Sequence, residues 1–191
     1  TAVKEIRGVM TGHVGLTTVN GKDATGSIMR LLELGVPHFL LQATLVGVLA
    51  QRLVRKNCRY CEERFQIEAD ELIALGIEVG RTGTLGLVRG RGCEKCRGTG
   101  YMGRTCILEM MPFSESIRKM TGADVDVDAL RSKAREEGMR TLRESAVDKM
   151  LKGITTYQEV LRVTWEQRWG VSKQQRRRIE PLFYPSPQIV R

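Results

Sequence analysis

The sequence has few aromatic residues and no long apolar run, and each absence excludes a class of function. Aromatic residues make up only 5% of the 191 positions, which leaves few platforms on which nucleic-acid bases can stack. The longest apolar run, residues 39–50, is interrupted by Gln42 and Thr44 and falls short of the ~20 residues of a membrane-spanning helix. We therefore expect no segment to cross a membrane.

Acidic residues are too few to balance the basic ones, and the formal net charge is +9. The excess is uneven, because residues 168–191 hold six basic residues against Glu180 alone. We interpret this segment as a flexible basic tail or an expression remnant. Its arginine triplet at residues 176–178 can contact acidic lipid or nucleic acid, but short basic runs are more often solvated. We expect no nucleic-acid partner.

Five cysteines are present, and four of them form two CxxC pairs that are 31 residues apart: Cys58, Cys61, Cys93 and Cys96. Two such pairs supply the four-thiolate shell that Zn²⁺ prefers at structural sites. The alternatives are two disulfides, redox-active pairs or unrelated buried thiols. Disulfides persist in oxidising compartments, and nothing in the sequence resembles a secretory signal. A redox site would need only one pair, so structural zinc is the preferred interpretation.

The first part of the chain reads as an α/β unit. After a helical pattern in the first ten residues, residues 13–19 are β-prone and almost uncharged, which predicts a strand buried on both faces of a parallel sheet. Asp23 is placed to cap a helix that runs to about Leu34, and Gly35 is placed to end it. A second helix is predicted from about Pro37 through Leu53, leading directly into Cys58.

The later segments are punctuated by glycines and capping residues. Residues 68–75 predict a short helix, and residues 84–90 and 107–111 predict strands. Arg104 follows three glycines in six residues, and such a turn can present it to a phosphate or carboxylate; a solvated turn residue is the equal alternative. Four helices are predicted to begin after capping residues. These are Ser114, Asp126, Thr141 and Thr156.

Taken together, these motifs resemble the C-terminal part of the secretion ATPase superfamily, the cytoplasmic hexameric motors of type II secretion and type IV pilus assembly. The similarity covers about residues 1–164, including the start of the family's histidine box at Thr11-Gly12-His13 and the tetracysteine pairs. The other matching segments are residues 1–2, 30–36, 49–55, 99–104, 137–142 and 153–164.

The resemblance implies an α/β fold: the C-terminal part of a RecA-like P-loop ATPase core with an inserted tetracysteine zinc subdomain, followed by a helical C-terminal subdomain. The implied divisions are the core in residues 1–57, the zinc subdomain in 58–97, a return to the core sheet in 98–113, the helical subdomain in 114–167 and the basic tail in 168–191. Implied partners are further copies in a homo-hexamer, the inner-membrane platform and other pilus or secretion components.

The resemblance also implies ATP and Mg²⁺ as ligands of the full-length protein, with His13 near the γ-phosphate and Arg104 in the nucleotide region. This sequence has no GxxxxGK(S/T) phosphate loop, so we expect it not to hydrolyse ATP alone. The family's histidine box usually ends in a second histidine, where this chain has Asn20. Lys22 is a candidate replacement for the lost cation. Cys106 replaces a usual glycine, and we interpret it as a buried free thiol.

A binding-module interpretation stays open at this point. Residues 93–100 match the CxxCxGxG knuckle of the DnaJ chaperone family, although that module repeats the unit four times and this chain has it once. A freestanding zinc ribbon that binds protein or nucleic acid is the other form of this alternative.

Overall fold

A computed structural model describes residue 6 and residues 14–164 of the chain. It divides into two compact units, the first comprising Thr1–Gln51 and Leu108–Leu142 and the second Arg52–Ile107 and Arg143–Arg191. The basic tail and most of the predicted first helix lie outside the described residues. None of the helices that the structure describes combines the length and the apolar character needed to cross a bilayer.

The described residues form seven α-helices and four strands. In chain order they are α1 (Ala24–Glu33), α2 (His38–Thr44), β1 (Gly47–Asn57), β2 (Glu62–Glu68), α3 (Ala69–Ala74), β3 (Thr84–Gly90), β4 (Tyr101–Pro112), α4 (Glu115–Met120), α5 (Val127–Glu136), α6 (Leu142–Leu151) and α7 (Tyr157–Thr164). The strands pair as β1 with β4 and β2 with β3.

In the first unit, α1 begins and ends where the sequence predicts. The Asp23 carboxylate accepts the backbone N–H of Gly26 at 2.7 Å, and Gly35 follows the helix with a φ of +82°, a conformation that glycine adopts at little cost. The buried face of α1 packs into an apolar cluster. That cluster comprises Ala24, Ile28, Met111, Phe113, Ile117, Leu130, Ala134 and Met139.

The predicted strand at residues 13–19 is not formed in the described part of the chain. Residues 14–20 have no regular structure, and the side chains of Val14 and Leu16 are almost fully exposed. A parallel strand needs neighbours for its backbone hydrogen bonds, and the four described strands pair only with one another. Among residues 14–164, the β-propensity of this segment therefore has no strand to pair with.

The second predicted helix is also wrong over most of its length. α2 ends at Thr44, and the chain turns to extended backbone at Leu45. β1 follows, and its entry is fixed by the carbonyl of Val46, which accepts the backbone N–H of Phe113 at 2.8 Å. Pairing with β4 supplies hydrogen-bond partners that local periodicity does not reveal, which is why tertiary context outweighs the helical pattern here.

In the second unit, β2 and β3 form an antiparallel pair whose register runs from Glu62 opposite Gly90 to Glu68 opposite Thr84. The prediction of β3 is confirmed, and so is that of the short helix ended by Gly76, which has a φ of +75°. β2 was not predicted, because its alternating charged and apolar residues lie between two recognised motifs and lack a turn signal.

The helices that follow β4 are confirmed. Ser114 accepts the backbone N–H of Ile117 at 3.2 Å, and Asp126 accepts those of Asp128 and Ala129. The helices are divided between the two units, with Leu142 in the first and Arg143 in the second.

Candidate metal centre

The four cysteines predicted to bind zinc converge in the second unit. Their sulfur atoms all lie within 4.8 Å of one another. The Sγ–Sγ distances are 4.0 Å for Cys58 and Cys93, 3.9 Å for Cys61 and Cys96, and 3.7 Å for Cys93 and Cys96. A tetrahedral zinc site with Zn–S bonds of about 2.3 Å has sulfur atoms about 3.8 Å apart. The cluster therefore fits a four-coordinate ion, whereas a disulfide needs a sulfur separation of about 2 Å.

Two adjacent strand ends and one tight turn position the sulfurs. Cys58 directly follows β1, and Cys61 directly precedes β2. In the second pair, Cys93 directly precedes a short 3₁₀ turn, Glu94–Cys96, and Cys96 is its last residue; the turn lies between β3 and β4. We call residues 58–61 the first knuckle and residues 93–100 the second knuckle. The N–H of Cys58 donates to the Gly100 carbonyl at 2.9 Å, so a backbone hydrogen bond joins the two knuckles in addition to the contacts between their sulfurs.

Backbone N–H groups point at two of the sulfurs. The Sγ of Cys96 accepts from the N–H of Cys93 at 3.1 Å and of Gly100 at 3.3 Å, and these donors lower its pKa to about 6. The Sγ of Cys61 accepts the N–H of Gly92 at 3.3 Å, but burial raises its pKa to about 12. Four thiolates cannot be buried together without a cation, and a divalent metal supplies the compensating charge.

Glycines let two backbone segments approach closely beside the sulfurs. A Cβ placed on Gly90 would lie 2.0 Å from the Gly100 carbonyl oxygen, and one placed on Gly100 would lie 2.3 Å from the Gly90 carbonyl oxygen. A Cβ placed on Gly92 would lie 2.7 Å from the Gly98 carbonyl oxygen, whereas one placed on Gly98 would meet no atom within 4 Å. Of the two glycines in the CxxCxGxG sequence, Gly100 is thus required by close packing of backbone on backbone, whereas Gly98 is favoured by its φ of +74°.

The first knuckle is also anchored from behind. The side-chain amide of Asn57, the residue before Cys58, donates to the carbonyls of Val88 at 3.0 Å and Gly153 at 2.9 Å. Two residues earlier in β1, the backbone N–H and the side-chain Nε of Arg55 both donate to the buried carboxylate of Glu159 at 2.8 Å. These contacts tie β1, β3 and α7 together around the end of the strand that leads into the cluster.

The other residues singled out by sequence are not brought into this centre. His13 lies outside the described residues, and Asn20 and Lys22 are exposed in the first unit. Arg104 lies exposed within β4 rather than on a glycine turn, because that strand already begins at Tyr101. No described contact joins Arg104 to the cysteines. Cys106 is a free thiol, but it is only partly buried.

Two buried carboxylates, Glu109 and Glu159, make structural contacts that the sequence did not predict. Glu109, in the first unit, is 2% exposed and accepts the backbone N–H groups of Ala24 at 2.8 Å and Leu142 at 3.1 Å, the first residues of α1 and α6. The carboxylate of Glu159, in the second unit, binds Arg55 and Arg162. A charged residue inside an apolar strand was the available signal for Glu109.

Comparison with known proteins gives the same family along almost the whole chain. The family model described as "Type II/IV secretion system protein" matches residues 1–162. The chain is 41% identical over 157 residues to the "Type IV pilus assembly ATPase PilB" of Thermus thermophilus, covering 82% of this chain and 18% of that protein. It is 38% identical over 167 residues to the "Type II secretion system protein E" of Pseudomonas aeruginosa, covering 87% and 33%.

A third relative, the "Type IV pilus assembly ATPase TfpB" of Acinetobacter baylyi, is 37% identical over 163 residues, which cover 85% of this chain and 28% of that protein. The chain thus spans about a fifth to a third of the length of these curated relatives. The expected resemblance is confirmed, and the chain belongs to the type II/IV secretion system protein family.

Proposed function

We propose that the chain is the C-terminal part of a traffic ATPase that uses ATP hydrolysis to power type IV pilus assembly or type II secretion. The observation that carries this proposal is the family match over residues 1–162, to relatives that are themselves named as pilus assembly ATPases or type II secretion proteins. The freestanding zinc-module alternative is not favoured, since the match extends far beyond the cysteine pairs.

The proposed working form is a homo-hexamer of the full-length protein in the cytoplasm, peripheral to the inner membrane and in contact with a membrane platform. Within it, His13 would lie near the γ-phosphate and Arg104 in the nucleotide region, with ATP and Mg²⁺ bound mainly by residues outside this sequence. Because none of the 191 residues forms a GxxxxGK(S/T) loop, this piece alone should not hydrolyse ATP.

The proposed role of the cysteine cluster is structural zinc binding. All four protein ligands are sulfurs and leave no open coordination position, which is typical of structural rather than catalytic zinc. The segment between the knuckles contributes few buried apolar side chains; the clearest are Leu72, Ile77, Leu85 and Leu87. We infer that metal binding and folding of this segment are one event.

Metal analysis tests the zinc assignment directly. The chain purified under reducing conditions should hold about one equivalent of zinc and no iron, the other metal of four-sulfur sites. Cys58→Ser should remove the metal and lower the thermal transition, whereas Cys106→Ser, at the cysteine outside the cluster, should leave both unchanged. Less than half an equivalent of zinc, together with a normal transition for Cys58→Ser, would refute the assignment.

A chimera tests the motor proposal. Residues 1–162 would replace the matching segment of the Pseudomonas aeruginosa type II secretion system protein E, and ATP hydrolysis would be compared with that of the isolated chain. We expect turnover in the chimera and none in the isolated chain. A chimera that folds and binds ATP but does not hydrolyse it would contradict the proposal, and so would hydrolysis by the isolated chain.

A further inference from the structure

The four sulfurs of the cluster are not equally accessible. Cys58, Cys61 and Cys96 are buried, with 0%, 6% and 6% of their surface exposed. Cys93 is only partly buried, so it forms the solvent-facing edge of the cluster. A reagent in solution therefore reaches this sulfur before the other three.

The distances around Cys93 place it in contact with the rest of the cluster. Its Sγ lies 4.0 Å from that of Cys58 and 3.7 Å from that of Cys96. Among thiolates that share one metal ion, access from solvent decides which sulfur a dissolved oxidant meets first. In this cluster that sulfur belongs to Cys93.

A second sulfur, that of Cys96, lies close enough to Cys93 to form a disulfide after Cys93 is oxidised. The Sγ of Cys96 is 3.7 Å from that of Cys93, because Cys93 precedes and Cys96 ends a single 3₁₀ turn. Oxidation-sensitive cysteines are typically accessible thiolates with a second cysteine in reach. We propose that Cys93 is a peroxide-modified site whose oxidation releases the metal. This inference rests on the proposal that the cluster holds zinc.

The chemistry balances with hydrogen peroxide as the oxidant. The Cys93 thiolate attacks one peroxide oxygen, the O–O bond breaks, and a sulfenic acid and a hydroxide ion form. The Cys96 thiolate then attacks the sulfenic sulfur and displaces a second hydroxide. Two thiolates thus lose two electrons to the peroxide and become one disulfide. Cys58 and Cys61 alone do not make a four-sulfur shell, so metal affinity falls.

The sequence makes this order of events measurable. Trypsin cleaves after Arg59 and Lys95, which separate the members of each pair, and every cysteine enters a different peptide. The zinc-loaded 191-residue chain, as wild type and as Cys106→Ser, would receive less than one equivalent of peroxide. Released zinc would be followed with a chromophoric chelator, and remaining thiols would be blocked before digestion.

We expect zinc release to track a disulfide between peptides 92–95 and 96–97, with oxidation at Cys93 about tenfold above that at Cys58 or Cys61. A thiol reductant plus zinc should restore the starting state, and Cys106→Ser should behave as wild type. Oxidation spread evenly over the cluster, or beginning at Cys58 or Cys61, would overturn the assignment while leaving the zinc site intact. A chain that holds no zinc before treatment would overturn both.

Discussion

Gly90→Ala is the sharpest test of how the metal centre is built. The new methyl group would lie 2.0 Å from the carbonyl oxygen of Gly100, whereas ordinary contacts are about 3.5 Å. The backbone must therefore separate by more than an ångström. Gly100 cannot move without cost, because its N–H donates to Cys96 Sγ at 3.3 Å and its carbonyl accepts from Cys58 N–H at 2.9 Å.

The expected magnitude follows from those two effects. Overpacking costs about 1–3 kcal/mol, and weakening one backbone hydrogen bond costs about 1 kcal/mol. The total is about 2–4 kcal/mol and acts at the contact that holds the two knuckles together. If it is lost from the free energy of zinc binding, zinc affinity falls by about 30- to 700-fold. Competition with a chromophoric chelator measures this loss, and thermal unfolding of the metal-loaded chain provides a second readout.

Gly86→Ala is the matched control. Gly86 lies in the same strand, β3, and a Cβ there meets no atom within 4 Å, so the substitution should change zinc affinity by less than about twofold. Wild-type zinc affinity and thermal stability for Gly90→Ala would refute the close-approach argument. So would an equal loss for Gly86→Ala, because the effect would then come from the strand and not from the contact.

Three further predictions concern the carboxylates and the histidine box. Arg162 and Arg55 lower the pKa of Glu159 to about 2 despite its burial. The resulting stabilisation is complete above the unfolded pKa of about 4.5 and is lost as the pH falls towards 2. Glu159→Gln should therefore have a lower urea midpoint than wild type at pH 7, and the difference between the two midpoints should be smaller at pH 3. Burial raises the pKa of Glu109, yet Glu109→Gln should cost about 1–2 kcal/mol in urea unfolding at pH 7, because an amide offers one acceptor oxygen to two helix N–H groups; an unchanged midpoint would contradict this. In the chimera, Lys22→Ala should reduce ATP turnover if Lys22 replaces the histidine absent at residue 20, and unchanged turnover would rule that role out.

The sequence predicted well the helix caps, helix ends and strand bounds that depend on neighbouring residues. Asp23 as a cap, Gly35 as a helix end and the bounds of β3 all depend on neighbouring residues, and each is confirmed. The convergence of the four cysteines is also confirmed, because the paired spacing specifies a metal shell whatever the surrounding fold.

Long-range pairing was the part that the sequence did not reveal. The segment after Thr44 has a helical apolar pattern, but it pairs with a strand more than fifty residues later. Residues 14–19 show the opposite failure, since their strand propensity has no neighbouring strand among the described residues. Glu109 stayed hidden for the same reason, because its partners Ala24 and Leu142 lie far from it in sequence.

The approach of Gly90 to Gly100 has a consequence for protein engineering. The cysteine cluster cannot be transplanted by grafting four cysteines onto another scaffold, because its geometry also resides in main-chain atoms. The donors of Gly92 and Gly100 reach the sulfurs only while residues 90–100 fold back on themselves without side chains in the way. The portable unit is this folded segment together with the first knuckle, and a graft that keeps the cysteines but replaces the glycines should lose the site.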